Sequence, residues 1–162
     1  MTLADLEKRI KVLEDIEEIK KLQVYYCSRI NPPKWDEIKD CFSRDAVFDA
    51  YAGRVRGREE VGKTLTENVS RVHIGTDACF MVHPIVEVEG DKAKGGYTLF
   101  AIMAQPRKMV FRLPYLPADY SPDWVIGDCH MEYVREDGKW KISSLKWRCD
   151  RFSPVYDRVL EG

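Results

Sequence analysis

The chain has 162 residues, 44% of them hydrophobic and 11% aromatic, which is enough for one sizeable core and hardly for two. Lys and Arg number 26 against 27 Asp and Glu, a formal charge of -1 that supplies no sequence-wide attraction for nucleic acid or anionic lipid. The five cysteines (Cys27, Cys41, Cys79, Cys129, Cys149) contain no Cys-x-x-Cys pair, and the N-terminal residues hold no apolar run like a signal peptide or membrane span, so a single cytoplasmic domain with reduced thiols is expected.

From Thr2 to about Ile30, apolar residues recur at three and four (Leu3, Leu6, Ile10, Leu13, Ile16, Ile19, Leu22, Tyr26), the period of one helical stripe. Thr2 with Asp5 caps its start, and Asp15 with Glu18 offers a second start if the chain bends there. The spacing of Leu3, Leu6, Ile10 and Leu13 is heptad-like but too short for a free coiled coil; capping the barrel or pairing subunits suits it better. NPPKW ends the helix, because proline lacks the donor that a helix needs and disfavours helical geometry before it. A short helix over WDEIKDCF, a strand over AVFDAY, a turn with a short strand over AGRVRG and a helix over REEVGKTLTENV follow.

After Ser70 the pattern is one of strands. PIVEVEGDKAKGGYTLFAIMA and WVIGDCHMEYVREDGKWKISSLKWRCD each read as two strands joined by a glycine-containing turn, EGDK and EDGK. Helices followed by antiparallel strands argue for an α+β domain with helices on one face of a curved sheet. Residues 104–123, rich in proline, are long for a plain connection and suit a lid or a partner-binding loop. In IGDCHMEYV, Gly127, Cys129, Met131 and Tyr133 alternate with Asp128, His130 and Glu132, so His130 is expected on the outer face. Arg54, Arg56 and Arg58 form a small basic cluster, open to an acidic ligand but read as a solvated strand edge, with Gly57 as a turn glycine. GKTLT lacks the rest of a phosphate loop.

The order of DIEEIKKLQVYY, KWDEIKDCFSRDAVFDAYAGRVRGREEV, a histidine before PIVEVEGDKAKGGY, and EYVREDGKWKISSLKW resembles the SnoaL-like group of the nuclear transport factor 2 superfamily over nearly the whole chain. Within that group the chain is most similar to scytalone dehydratase, through the DG-x-W-K strand and the aromatic tail. It is similar more loosely to bile acid 7α-dehydratase and hexachlorocyclohexane dehydrochlorinase. The resemblance implies one domain over 1–162, with 1–14 as a helical extension and 148–162 as a tail covering the pocket. It further implies a cone-shaped, mostly antiparallel barrel wrapped around the N-terminal helices, enclosing a deep apolar pocket. A homo-oligomer, trimer or dimer, and a cofactor-independent dehydratase-like lyase or isomerase acting on a hydrophobic oxygenated ring compound also follow from it.

On that likeness His73 matches the general base that takes a proton from carbon as the leaving group departs; a neutral imidazole in an apolar pocket suits this and needs no metal. The ordinary alternative is a satisfied histidine at a strand start. Asn31 stands where the family has a carboxylate that steadies the base: its amide accepts the imidazole N–H bond but adds no charge, and Asn before Pro is also a plain helix stop. Tyr51 matches a strand tyrosine that bonds a substrate oxygen or the catalytic water, with core packing as its alternative. Ala104 stands where scytalone dehydratase has a second histidine, and His83, beside Pro84, reads as a structural strand start. Tyr26 is expected to face inward, as core or as an assisting group, while Trp147, Cys149, Tyr156 and Leu160 match residues that cover the pocket. A two-histidine, one-carboxylate iron site using Asp77 has no spacing to support it. The rival reading is a non-catalytic binding or accessory protein of the same fold; convergent polar groups in the pocket would favour catalysis and a purely apolar lining carriage.

Overall fold

The computed structural model describes residues 1–30, 32–50, 52–71, 78–102 and 123–152, with no side-chain placement for residues 150 and 152. Helix α1, Leu3–Ser28, begins on a complete capping box: the Thr2 hydroxyl accepts from the Asp5 N–H at 3.2 Å, and the Asp5 carboxylate accepts from the Thr2 N–H at 2.7 Å. The helix runs unbroken through Asp15, so the second start expected there is absent. Asp15 is instead buried. It accepts from Trp140 Nε1 at 3.2 Å, from Lys11 Nζ at 3.1 Å and from the Arg135 guanidinium, which stacks 4.6 Å from the Trp140 ring centroid. Burial raises the Asp15 carboxyl pKa, but the hydrogen bonds from Lys11, Trp140 and Arg135 outweigh it and hold it below the ordinary value.

Two shorter helices follow, α2 over Trp35–Lys39 and α3 over Arg58–Glu67, the latter leading into a 3-10 turn at Val69–Arg71. The strands are β1 (Phe42–Ala50), β2 (Gly53–Arg56), β3 (Ala78–Glu89), β4 (Lys92–Ile102), β5 (Trp124–Glu136) and β6 (Lys139–Phe152). They form one mixed sheet in the order β2-β1-β6-β5-β4-β3, in which only β1 and β6 run parallel. The architecture is therefore α+β, with α1 and α2 first in the chain and α3 between β2 and β3.

Both hairpins close where turn chemistry directs. Asp137 and Gly138 take left-handed φ of 52 and 75 between the paired residues Glu136 and Lys139, the geometry of a two-residue primed turn, and Gly90 has φ 59 in the turn between β3 and β4. Strand β3 starts well before Pro84, and this corrects the reading of His83 as a strand start. Cys79 and Met81 face inward while Phe80 and Val82 are exposed, so the alternation begins at Ala78. The ladder then shifts register between Val82 and Ile85, where His83 has φ 55; this bulge accommodates a proline that has no N–H to offer. Strand β1 likewise starts at Phe42, ahead of AVFDAY.

On β4, Gly95 and Gly96 permit a close strand approach: a Cβ at Gly96 would lie 2.1 Å from the Cys129 carbonyl oxygen, so no larger residue fits without moving backbone. Arg54 and Arg56 are exposed on edge strand β2, as a solvated edge requires. Arg58 differs. From the first turn of α3 it donates to the Phe42 carbonyl at 2.7 Å and to Glu136, whose carboxylate also accepts the Arg44 N–H at 2.9 Å. The Arg44 backbone bond, together with Arg58, lowers the Glu136 pKa despite burial. The core fills the space between the inner sheet face and the three helices, with Ile19, Ile38, Phe42, Val61 and Ile142 inaccessible to solvent.

Candidate functional site

Period-two alternation sends Tyr97, Leu99 and Ala101 of β4, Val125 and Cys129 of β5, and Leu145 and Trp147 of β6 toward the helices. Tyr26 and Ile30 at the end of α1, Trp35 and Ile38 of α2, Leu65 of α3 and Phe48 and Ala50 of β1 close the other side. Together with Val69 and Cys79 they enclose a cavity of about 50 Å³. The wall is stiffened by edge-to-face aromatic contacts, Tyr26 on Phe42 at 6.0 Å and Phe42 on Phe48 at 6.3 Å between centroids.

None of the described lining residues is charged. Their polar atoms are phenols, indoles and thiols. Among these Tyr97 is the most sheltered: its hydroxyl receives a hydrogen bond from the Cys27 thiol at 3.5 Å, and burial pushes its pKa well up. Burial raises the Cys27 thiol to about 11, and Cys129 rises for the same reason. At neutral pH all three are protonated, so the thiols are poor nucleophiles and the phenol, which also hydrogen-bonds Cys129, is a donor rather than a base. Beside the cavity, Gln23 donates to the Tyr133 hydroxyl at 2.6 Å, which in turn lies 3.1 Å from the Met131 sulfur.

Tyr26 and Trp147 line the cavity, while Cys149 is half-buried against the core and is not among the lining residues. His73, Asn31, Tyr51, Tyr156 and Leu160 lie outside the described residues, as do Asp77 and Ala104. The immediate chain neighbours of Asn31 and Tyr51, Ile30 and Ala50, both line the cavity. Strand β6 extends to Phe152, so residues 148–152 belong to the sheet. His130 is exposed on the outer face beside Asp128, which accepts from the Thr98 hydroxyl at 2.9 Å. His83 is exposed too. Among the described residues no three His, Cys, Asp or Glu side chains gather as a cation site, and no helix is long and apolar enough to cross a membrane.

Sequence reasoning does not single out Tyr97, Trp35 or Phe48 as site residues. The signal for Tyr97 is the alternation Tyr97, Leu99, Ala101 against Thr98 and Phe100, which fixes a common face without saying which face the helices cover.

An α+β chain with a long leading helix, a six-stranded mixed sheet and an apolar cavity between helices and sheet has the cystatin-like or nuclear transport factor 2-like fold. A model of the SnoaL-like domain matches residues 11–146, and the chain belongs to that family. An NTF2-like protein with a cystatin-like fold from Novosphingobium aromaticivorans is similar at 16% identity, covering 90% of this chain and 88% of that one with a TM-score of 0.70. The hexachlorocyclohexane dehydrochlorinase LinA-type3 from Novosphingobium barchaimii LL02 is similar at 21% identity, covering 94% and 95% with a TM-score of 0.69. A protein provisionally assigned as a scytalone dehydratase from Novosphingobium aromaticivorans DSM 12444 is similar at 18% identity, covering 90% and 91% with a TM-score of 0.68. At these identities the likeness shows the fold. No curated protein matches the chain in sequence.

Proposed function

We propose that this chain is a cofactor-independent lyase or isomerase acting on a hydrophobic, oxygenated ring compound; the SnoaL-like family and the fold shared with a hexachlorocyclohexane dehydrochlorinase and with a protein provisionally assigned as a scytalone dehydratase support that reading. The observation that carries this reading is the cavity of uncharged, mostly apolar described side chains in whose wall the Tyr97 phenol is buried. In the proposed reaction the neutral His73 imidazole takes a proton from a ring carbon, the C–H electron pair forms a double bond to the neighbouring carbon, and the leaving group departs from that carbon with its bonding pair. Asn31 orients the imidazole through its amide oxygen, and Tyr51 polarises a substrate oxygen. Tyr97 adds a second donor from the sheet side. Tyr26 and Trp147 shape the cavity, with Cys149, Tyr156 and Leu160 of the C-terminal segment covering it and excluding water. In this reading the sheet curves into the cone that the family resemblance implies, and the protein works in the cytoplasm.

A second reading has support of its own, because a lining without a charged group among the described residues equally suits carriage of an apolar ligand. One experiment separates the two. A panel of hydroxylated and halogenated ring compounds is screened for binding by thermal shift and for elimination by mass spectrometry, with wild type and His73→Ala side by side. The catalytic reading expects turnover that His73→Ala lowers by roughly 10² to 10⁴ while binding survives. Binding without turnover, unaffected by His73→Ala, supports carriage and ends the catalytic reading.

A further inference from the structure

The expectation that the first four apolar residues of α1 cap the barrel is not met: Leu3 is 74% exposed, Ile10 54% and Leu13 64%, and Leu6 is partly open at 37%. Their spacing of three, four and three is that of a and d positions over two heptads, with Leu3 and Ile10 at a and Leu6 and Leu13 at d. At about 100° per residue this stripe lies roughly 160–170° around the helix from the line of Asp15, Ile19, Gln23 and Tyr26 that binds the body. Among the described residues, a partner helix laid on the stripe therefore lies on the side of α1 away from the body. Beyond Leu13 the next a and d positions are the charged Glu17 and Lys20, so the apolar seam ends there.

We infer that α1 pairs in parallel with α1 of a second copy along Leu3, Leu6, Ile10 and Leu13, forming a dimer whose two bodies lie on opposite sides of the helix pair. Charge selects the occupant and its direction. In a parallel pair the g position Arg9 meets the e position Glu14 of the second copy, twice across the twofold axis, whereas an antiparallel pair sets Arg9 against Arg9 and acid against acid. Two heptads alone are too few to sustain an isolated coiled coil, but here the helix is already formed by its capping box and by its packed second half, so pairing carries no nucleation cost. In the second heptad Ile10 at a with Leu13 at d favours two strands over three or four. This inference is independent of the catalytic reading.

The full chain carrying Leu6→Cys is oxidised mildly beside a chain carrying Lys8→Cys, whose residue faces away from the seam, and beside wild type. Leu6→Cys is expected to give a covalent dimer and the other two are not, because only a parallel, in-register pair brings position 6 against itself. In sedimentation, Leu6→Glu with Leu13→Glu is expected to weaken dimerisation by at least about tenfold with an unchanged circular dichroism spectrum, since both side chains are open in the monomer. Arg9→Glu and Glu14→Arg chains each dimerise poorly alone, and their mixture recovers the wild-type association because positions 9 and 14 again face one another with opposite charges. A wild-type chain that stays monomeric, equal cross-linking at positions 6 and 8, or an association untouched by all of these changes but abolished by Phe80→Glu on the sheet face would each overturn the inference.

Discussion

The two ends of the β5–β6 ribbon are held together by different physics. At the hairpin end, charged groups converge: Asp15 binds Arg135, Lys11 and Trp140, and Glu136 binds Arg58 and the Arg44 N–H. At the cavity end the described wall holds only apolar side chains, phenols, indoles and thiols, and an unfilled space. Ion pairs around the buried Asp15 and the partly buried Glu136 tie the helices to the sheet at fixed distances, whereas an apolar wall tolerates exchange of similar volumes. One end therefore locates α1 and α3 against the sheet, and the other is where the proposed substrate sits.

Substitutions sharpen that contrast, beginning with the largest effect. Asp15→Ala leaves the buried Trp140 N–H without its acceptor and takes one carboxylate from the Arg135 guanidinium, which keeps Asp91, and is expected to cost about 2–3 kcal/mol in urea unfolding. Glu136→Gln weakens a partly exposed pair and a backbone bond, and about 1–2 kcal/mol is expected from the same measurement. At the cavity end Tyr97→Phe removes the hydroxyl's weak bonds with the Cys27 and Cys129 thiols, so about 1 kcal/mol is expected, with a larger effect on ligand binding than on stability. Phe80→Ser, at a half-exposed outer position where the ring stacks on Phe100 at 6.2 Å between centroids, is expected to cost about 0.5–1 kcal/mol.

Acid separates the two ends as well. The Asp15 and Glu136 carboxyls titrate below their ordinary values in the folded chain, so the unfolded chain binds protons first as pH falls. Their contribution is fully present above the unfolded carboxylate range and is lost as pH falls through the folded values. Unfolding free energy followed from pH 7 downward should therefore decline, and an Asp15→Asn, Glu136→Gln chain should start lower and decline less steeply. The cavity-end phenol and thiols have raised pKa values and hold their protons throughout that range.

Local chemistry is legible in the residues and long-range partnership is not. The Thr2 and Asp5 cap, the Asp137–Gly138 turn and the outward placement of His130 depend on neighbours within a few positions, and each stands where the pattern places it. Asp15 reads as a helix start in the sequence because its true partners, Arg135 and Trp140, lie more than a hundred positions away. Pro84 suggests a strand boundary, yet a bulge at His83 lets the ladder pass it. Tyr97 escapes a sequence reading because alternation alone does not reveal which sheet face the helices roof. Of the site residues drawn from family resemblance, Tyr26 and Trp147 stand on the cavity wall; His73, Asn31 and Tyr51 lie outside the described residues.

The central claim is that His73 is a proton acceptor oriented by Asn31. An NMR titration of the His73 ring in wild type and in Asn31→Asp tests it most directly. The account predicts a sheltered imidazole that titrates near neutrality in wild type and shifts upward when residue 31 carries a charge, since a carboxylate favours the protonated ring. A His73 ring that titrates like a solvent-exposed histidine and is indifferent to residue 31 would contradict the dyad and leave the cavity as a carrier site.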